Sequence, residues 1–317
     1  MHDTAPILTV PEPLAAVDLT MADGAVIRMR QHGNPDGPRV ALSHGNGLAI
    51  DAYFPFWDLL RPDYEVIVFD VRNHGQNPYH GREGHYWPNF GRDLEAVFDG
   101  IQKNFGTKRT AGLFHSLSSV AATHHTLTEG RRWDPLILVD MPIMPPEGHP
   151  LVQAEHNHMQ IMSALAARRP ERYATPDAFA RQLAARRNFR RWMPGAYELF
   201  ARATLREDKQ KGDWALACPR DLEAFVFASN LNDTLWPRMA QIEAPVLLIG
   251  ADPEGDERSG PALLTRALAK DQGLDYVMIP DTTHFLQIEK PGEVFAAADA
   301  VLHRKGRAGP GSEVSTP

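Results

Sequence analysis

The chain has 317 residues, of which 43% are hydrophobic and 23% are charged, and its formal net charge is −7. This length suits one large α/β domain that carries an insertion. The negative charge argues against a nucleic-acid partner and favours a small-molecule ligand. The single cysteine, Cys218, excludes an intrachain disulfide and indicates a reducing compartment.

The N-terminal residues show neither the cationic stretch nor the apolar run of a signal peptide. No segment approaches the roughly 18 uninterrupted apolar residues that a membrane span needs. We therefore expect a cytoplasmic protein without a membrane partner.

The first half of the chain alternates between strand and helix patterns. Asp23-Gly24 is a turn dipeptide between two strand-like runs, which predicts an antiparallel hairpin. The later strands are short apolar runs of the kind found in doubly covered parallel sheets. The predicted strands are 16–20, 25–30, 40–42, 65–70 and 136–140, together with the apolar run that ends at His115-Ser116, and the predicted helices are 57–60 and 93–105. This alternation predicts a mostly parallel sheet with helices on both faces.

Residues 142–237 break the alternation. Clustered prolines open this segment, and helical, arginine-rich sequence without a strand signal follows. We therefore predict an inserted helical cap at 142–237 and a core made of 1–141 and 238–303. The core resumes with strands at 245–250 and 275–279 and helices at 262–269 and 291–303, whereas composition predicts a disordered tail at 304–317.

Ser116 stands where a short apolar run ends and a helical pattern begins. A sharp strand-to-helix turn presents its central side chain above the sheet, as the G-x-S-x-G pattern does for a nucleophilic serine. Here Phe114 and Ser118 replace both glycines, and the alternative is that Ser116 simply caps the helix. The same steric rule argues against Ser118, which has the β-branched Val120 two positions later, and against Ser119, which has Leu117 and Ala121 around it.

A nucleophilic serine also needs a base and a carboxylate that orients the base. His284 follows the last predicted strand and occupies the expected place of the base in chain order. Asp252 is the first candidate for the acid because it lies closest to the end of the preceding strand. Asp256 in the same loop and Asp140 after the strand before it are the alternatives.

An oxyanion formed at such a site needs two backbone N–H donors. Leu117 follows the proposed nucleophile, and Asn46 lies in the glycine-rich stretch His44–Gly47 after the third strand. We therefore predict an oxyanion hole made by the amides of Asn46 and Leu117. A plain turn is the alternative for the glycine-rich stretch.

Five separate stretches together resemble the α/β-hydrolase superfamily. They are His44-Gly45, residues 69–75 (Phe-Asp-Val-Arg-Asn-His-Gly), residues 112–119 around Ser116, Asp252-Pro253-Glu254, and Thr283-His284-Phe285 with Glu289-Lys290-Pro291. The resemblance implies an eight-stranded, mostly parallel sheet with a cap inserted. The segment Asp252-Pro253-Glu254 is similar to a subgroup whose acid is the aspartate of D-P-E, whereas the spacing from Asp256 to His284 suits the commoner loop.

The cap should shape the substrate pocket, as it does in capped hydrolases. Its aromatic and methionine side chains are candidates for that lining, although many form the cap's own core. Among them we predict Phe189, Trp192, Trp236 and Met144 as substrate-binding residues. The histidine pairs of the chain lack the spacing and carboxylate partner of zinc sites, so we expect no metal and no cofactor.

The sequence thus predicts a serine hydrolase that cleaves a small-molecule carboxylic ester. A serine at position 116 disfavours the dehalogenases and epoxide hydrolases of the superfamily, which use aspartate there. Lactones, thioesters, C–C bonds and perhydrolysis need the same residues and remain open. A second class of hypothesis is a ligand-binding or signalling protein on the same fold with vestigial hydrolysis.

Overall fold

A computed structural model describes residues 7–229, 234–255 and 260–303. The strands in these ranges are β1 (Ala15–Thr20), β2 (Val26–Gly33), β3 (Arg39–Ser43), β4 (Glu65–Phe69), β5 (Thr110–His115), β6 (Leu136–Val139), β7 (Arg172–Tyr173), β8 (Leu205–Asp208), β9 (Asp213–Leu216), β10 (Val246–Gly250) and β11 (Asp275–Met278). The helices are α1 (Phe54–Trp57), α2 (Trp87–Asn104), α3 (Leu117–Glu129), α4 (Val152–Arg168), α5 (Pro176–Ala184), α6 (Ala196–Thr204), α7 (Arg220–Ala228), α8 (Gly260–Gln272), α9 (Leu286–Glu289) and α10 (Pro291–Leu302). Short 3₁₀ helices cover Ile50–Tyr53, Asp58–Leu60, Arg187–Phe189 and Trp236–Gln241.

The main sheet has eight strands in the order β1-β2-β4-β3-β5-β6-β10-β11. β2 runs antiparallel to both of its neighbours, and the pairs from β4 to β11 are parallel. The predicted eight-stranded, mostly parallel α/β sheet is confirmed. The hairpin predicted around Asp23-Gly24 is also present as β1 and β2, with Thr20 opposite Val26.

Successive residues of the central strands feed two different apolar clusters. In β3, Val40 and Leu42 belong to one buried cluster, whereas Ala41 between them belongs to the other. Because side chains alternate across a strand, the two clusters lie on opposite faces of the sheet. Every residue of β3, β4, β5 and β6 is buried, which is why these strands read as continuous apolar runs.

The carboxyl ends of the parallel strands all meet at one edge of the sheet. The loops after β3, β5, β6 and β11 carry Asn46, Ser116, Asp140 and His284, respectively. In open α/β sheets this edge is where ligands bind. Strand order therefore brings residues that are far apart in the sequence to one rim.

The segment inserted between β6 and β10 contains α4 to α7 and a small antiparallel sheet in the order β7-β9-β8. The prediction that this segment has no strands was wrong. The strands have two to four residues each and include polar stretches such as Leu205–Asp208, so they lack the apolar alternation that reveals a strand. Arg172 on β7 pairs with Asp208 and Asp213 and ties the three strands together.

Hydrogen bonds from Arg206 and Asn46 help to join this insertion to the rim of the main sheet. Arg206 on β8 donates hydrogen bonds to the backbone carbonyls of Gly75, at 3.1 Å, and Asn77. The Asn46 side chain donates to the carbonyl of Glu223 on α7 at 2.9 Å.

The division into a core and a cap at 142–237 stays a prediction, and the tail predicted at 304–317 lies outside the described residues. In the described ranges, every helix is too short or too polar to cross a membrane.

Candidate active site

Ser116 occupies the turn between β5 and α3 in a strained backbone conformation. Its φ and ψ are 53° and −118°, a region that non-glycine residues rarely adopt. The Ser116 amide donates a hydrogen bond of 3.0 Å to the carbonyl of Val139 on the neighbouring strand. The sharp turn predicted from the sequence is therefore present, and it is fixed to the end of β6.

The turn at residues 114–118 is called the elbow below. Its surroundings accommodate Phe114 and Ser118, which replace the two glycines of the G-x-S-x-G pattern. The Phe114 ring is buried and meets Trp133 edge-on at 5.1 Å, beside Gly112, where a Cβ would lie only 2.5 Å from that ring. Gly112 lies two residues earlier on the same strand face and so provides the space for Phe114. The Ser118 hydroxyl binds the backbone of His115, accepting from its N–H at 3.0 Å and donating to its carbonyl at 2.9 Å.

The structure brings His284 to Ser116. Nε2 of His284 lies 3.0 Å from the Ser116 Oγ, and Nδ1 lies 2.7 Å from Oδ2 of Asp140. Nδ1 must carry a proton to bind a carboxylate, so the neutral imidazole leaves Nε2 free to accept from the serine hydroxyl. This is the arrangement that a nucleophilic serine requires.

Asp140 is completely buried after β6, with a positive φ of 40°. Its Oδ1 accepts from the Ala251 amide at 3.0 Å, and its own amide donates to the Ile249 carbonyl at 2.7 Å. The carboxylate is thus held between the ends of β6 and β10, with Oδ2 directed at His284. A rigid, buried carboxylate of this kind can fix both the orientation and the tautomer of the imidazole.

This geometry corrects the choice of Asp252 as the carboxylate that orients His284. The Asp252 side chain accepts from the backbone amides of Asp281 at 3.0 Å and Glu254 at 2.9 Å. These bonds, the first above all, lower the pKa of the Asp252 carboxyl and tie two loops together. The other alternative, Asp256, lies outside the described residues.

The glycine-rich stretch after β3 runs directly beside the elbow. A Cβ on Gly45 would lie 2.9 Å from the Ser116 Cβ, so only glycine fits this approach. The Gly47 amide donates to Nε2 of His74 at 3.0 Å. Asn46 lies between these glycines, and Leu117 opens α3, where first-turn amides have no partner within the helix. The oxyanion role of the Asn46 and Leu117 amides stays a prediction.

Asp70, which follows β4, binds the loop that contains this glycine-rich stretch. Its carboxylate accepts from the amides of Ile50 at 2.8 Å and Gln76 at 3.0 Å and lies 3.3 Å from Nε2 of His44. Burial opposes ionisation, but His44 and then Arg30 outweigh it, so the pKa of the Asp70 carboxyl is lowered. A negative charge therefore organises the loops after β3 and β4.

The predicted substrate residues fall into two groups. Phe189 and Trp192 pack against the ring of Phe285, the residue after His284, at centroid distances of 5.4 and 5.2 Å. Trp236 is buried in the core cluster that also contains α2, α3 and α8 side chains, and Met144 is buried as well. The substrate-binding roles of all four stay predictions.

Two residues that the sequence analysis did not select touch this site. His115 precedes Ser116 directly, and the Tyr53 hydroxyl lies 2.8 Å from its Nδ1. Adjacency to the serine was the available signal for His115, whereas Tyr53 had none.

Within the described residues there is no group of three or more His, Cys, Asp or Glu side chains that could hold a metal ion.

A family model described as the alpha/beta hydrolase family matches residues 40–298. This chain belongs to the alpha/beta hydrolase family. The match includes the loops that carry Ser116, Asp140 and His284. No curated protein matches this hydrolase in a sequence search.

Solved structures share the fold of this hydrolase at low sequence identity. An alpha/beta hydrolase from Novosphingobium aromaticivorans DSM 12444 has a TM-score of 0.70 and 18% identity, covering 92% of this chain and 99% of that one. The E-2-(acetamidomethylene)succinate hydrolase has a TM-score of 0.69 and 17% identity, covering 91% and 99%. The thioesterase domain from the curacin biosynthetic pathway has a TM-score of 0.66 and 15% identity, covering 89% and 97%.

Replacing Asp70 with asparagine should destabilise the fold in a pH-dependent way. Because the pKa is lowered on folding, the carboxylate stabilises the native state above its ordinary pKa of 3.8, and this stabilisation is lost as the pH falls through the folded value. Near neutral pH, D70N should lower the free energy of unfolding by about 3–5 kcal/mol. Urea denaturation across a pH series would show the difference shrinking below pH 3.8. The exposed D36N is the control, and an equal effect of both variants would contradict this account.

Replacing Gly45 with alanine should push the glycine-rich stretch away from the elbow. We expect G45A to slow the reaction of Ser116 with a fluorophosphonate by about 100-fold, because displacements near 1 Å have effects of that size. G292A is the matched control, since a Cβ there meets nothing within 4 Å. Equal labelling rates for the two variants would show that the close approach of Gly45 is unimportant.

Proposed function

We propose that this hydrolase is a serine hydrolase that cleaves a small-molecule carboxylic ester through an acyl-enzyme. Ser116 is the nucleophile, His284 is the base and then the acid, and Asp140 orients His284. The observation that carries this proposal is the continuous chain from Asp140 Oδ2 to His284 Nδ1, at 2.7 Å, and from His284 Nε2 to Ser116 Oγ, at 3.0 Å. Such a chain requires an imidazole and a carboxylate to be placed beside the serine, which a serine that only caps a helix does not need.

The chemistry follows from the direction of these hydrogen bonds. As Ser116 Oγ attacks the carbonyl carbon, its proton moves to His284 Nε2, and the carbonyl oxygen becomes an oxyanion. His284 then gives that proton to the leaving alcohol oxygen as the C–O bond breaks, which produces the acyl-enzyme. A water molecule repeats the sequence, giving its proton to His284 and releasing the acid and the serine hydroxyl.

Asp140 supports each step without accepting the proton. Its charge stabilises the imidazolium that forms when His284 takes the serine proton, and its hydrogen bond keeps Nε2 directed at Ser116. We propose that the oxyanion accepts hydrogen bonds from the backbone amides of Asn46 and Leu117. One such donor is worth on the order of 3 kcal/mol of barrier.

We propose that residues 142–237 act as the cap and that its aromatic side chains border the acyl pocket. Phe189 and Trp192 are favoured because both contact Phe285, next to the base. Trp236 and Met144 are the more distant candidates. Thioesters are a second candidate substrate, since the similar fold of the curacin thioesterase domain accommodates the same kind of acyl transfer.

Removing the nucleophile should abolish turnover and leave the fold intact. S116A should reduce hydrolysis of a p-nitrophenyl ester by about 10⁴-fold or more, the size of effect seen when a nucleophile is lost. S119A is the matched control and should retain most of the turnover, because the Ser119 hydroxyl donates to the backbone carbonyl of Ser116 and not to its reacting side chain. Undiminished turnover by S116A would contradict the proposal.

The two candidate acids are separated by isosteric amide variants. D140N should reduce turnover by about 10⁴-fold, because an amide no longer selects the productive imidazole tautomer. D252N should keep most of the turnover, since the Asp252 side chain accepts hydrogen bonds from the backbone amides of Asp281 and Glu254. A larger loss in D252N than in D140N, measured on the same ester, would overturn the assignment of Asp140.

A further inference from the structure

A second histidine lies in contact with the base. His115 is the last residue of β5 and is fully buried. Its Nε2 lies 2.9 Å from the backbone carbonyl of His284, and the two imidazole centroids are 4.6 Å apart. Neither the attack on the carbonyl nor the proton transfers described above use this side chain.

The chemistry of the partners fixes the directions of both hydrogen bonds to His115. A carbonyl oxygen only accepts, so Nε2 of His115 carries the proton and donates it to His284. Burial and then the charge of His284 hold the pKa of His115 well below its ordinary value, so the ring is neutral and Nδ1 is an acceptor. Tyr53 therefore donates its hydroxyl proton to Nδ1 across 2.8 Å.

The surroundings of Tyr53 favour its role as the hydrogen-bond donor to Nδ1 of His115. It is almost fully buried, and burial raises the pKa of its phenol, so it remains a proton donor. It ends the 3₁₀ helix Ile50–Tyr53, whose first amide is held by Asp70 at 2.8 Å. The Gly45 amide points at the same phenol oxygen from 3.5 Å, a long contact. Tyr53 thus joins the glycine-rich stretch to the elbow.

Other contacts hold the loop that carries His284 on the N-terminal side of the base residue. Thr283 is held by Glu289, which accepts from its amide and from its hydroxyl, each at 2.6 Å. Asp281, three residues before His284, has a positive φ of 52°. The backbone carbonyl of His284 itself is held by Nε2 of His115, at 2.9 Å.

We propose that His115, held in one tautomer by Tyr53, is a positioning residue that sets the distance between His284 and Ser116. Its Nε2–H fixes the backbone of His284 while Asp140 fixes the ring. Because His115 and Ser116 are consecutive, the elbow that presents the nucleophile also anchors the base. This inference rests on the proposed function. It adds a contact that fixes the backbone of His284, which the side chains of Ser116, His284 and Asp140 do not provide.

A matched pair of variants isolates the hydrogen bond. Glutamine at position 115 can place an N–H near the position of Nε2, whereas methionine has a similar length and no donor. With a fluorophosphonate, the Ser116 oxygen forms a bond to phosphorus as fluoride leaves, so the maximal labelling rate reports the approach of His284. H115M should lower that rate by about 100-fold, the effect of a displacement near 1 Å, with little change in the half-saturating probe concentration.

H115Q should react at least about tenfold faster than H115M, which corresponds to the recovery of one hydrogen bond. Thermal unfolding of both variants shows whether they are equally folded. Equal labelling rates in two equally stable variants would overturn the proposal. If H115M does not fold, Y53F takes its place, and a labelling rate for Y53F equal to that of the wild type would overturn it.

The tautomer of His115 can be read without any reaction. Long-range ¹H–¹⁵N spectra of the imidazoles, assigned by the loss of one ring in H115Q, should show a proton on Nε2 in the wild type. Y53F should lose this preference, because the donor to Nδ1 is gone. A proton on Nδ1 in the wild type would overturn the proposal. If the fluorophosphonate fails to label even the wild type, the proposed hydrolase function fails, and these spectra still decide the role of Tyr53.

Discussion

The buried carboxylate of Asp140 is the constraint on which the site depends. A charge that is removed from water must be matched by donors, and here the Ala251 amide and the His284 ring supply them at 3.0 and 2.7 Å. These donors come from the loops after β10 and β11, so one side chain ties three neighbouring strand ends together. Its position selects the tautomer of His284 and turns Nε2 toward Ser116.

Backbone strain is concentrated at the same rim. Ser116, Asp140 and Asp281 all have positive φ, at 53°, 40° and 52°, and each lies just after a strand. Conformations of this kind persist only where the surrounding structure determines them. The sheet does so here, because the amides of Ser116 and Asp140 are bonded to carbonyls on adjacent strands, at 3.0 and 2.7 Å. The strained turns present side chains above the sheet edge, which is what a reacting group requires.

In G-x-S-x-G, two small glycines leave room for the sharp turn. Here hydrogen bonds and packing around the elbow stabilise the turn without them. The Ser118 hydroxyl closes a small ring with the His115 backbone, and Gly112 makes room for the Phe114 ring. His115 then reaches across to the His284 carbonyl. The turn is therefore supported by specific contacts, and the departures from the family pattern leave its geometry intact.

Much of the fold could be predicted because each element follows from a local pattern. The hairpin at Asp23-Gly24 rests on turn chemistry, and the buried strands rest on continuous apolar runs. The small sheet β7-β9-β8 was not predicted, because its short strands are stabilised by the ion pairs of Arg172 with Asp208 and Asp213. Arg172 lies far along the chain from both aspartates. Pairing of that kind leaves no periodic signal.

The sequence by itself determined the order of strands and helices in the main sheet and its flanking layers, the serine at the elbow and the histidine after the last strand, because all of these depend on local pattern and chain order. Only the tertiary structure decided which carboxylate meets His284. Asp140 and Asp252 both follow a buried strand, so local pattern does not distinguish them. β6 lies next to β5, which carries the serine, whereas β10 is one strand further away. This adjacency places Asp140 within hydrogen-bonding distance of His284, and it directs Asp252 to the backbone of the neighbouring loop.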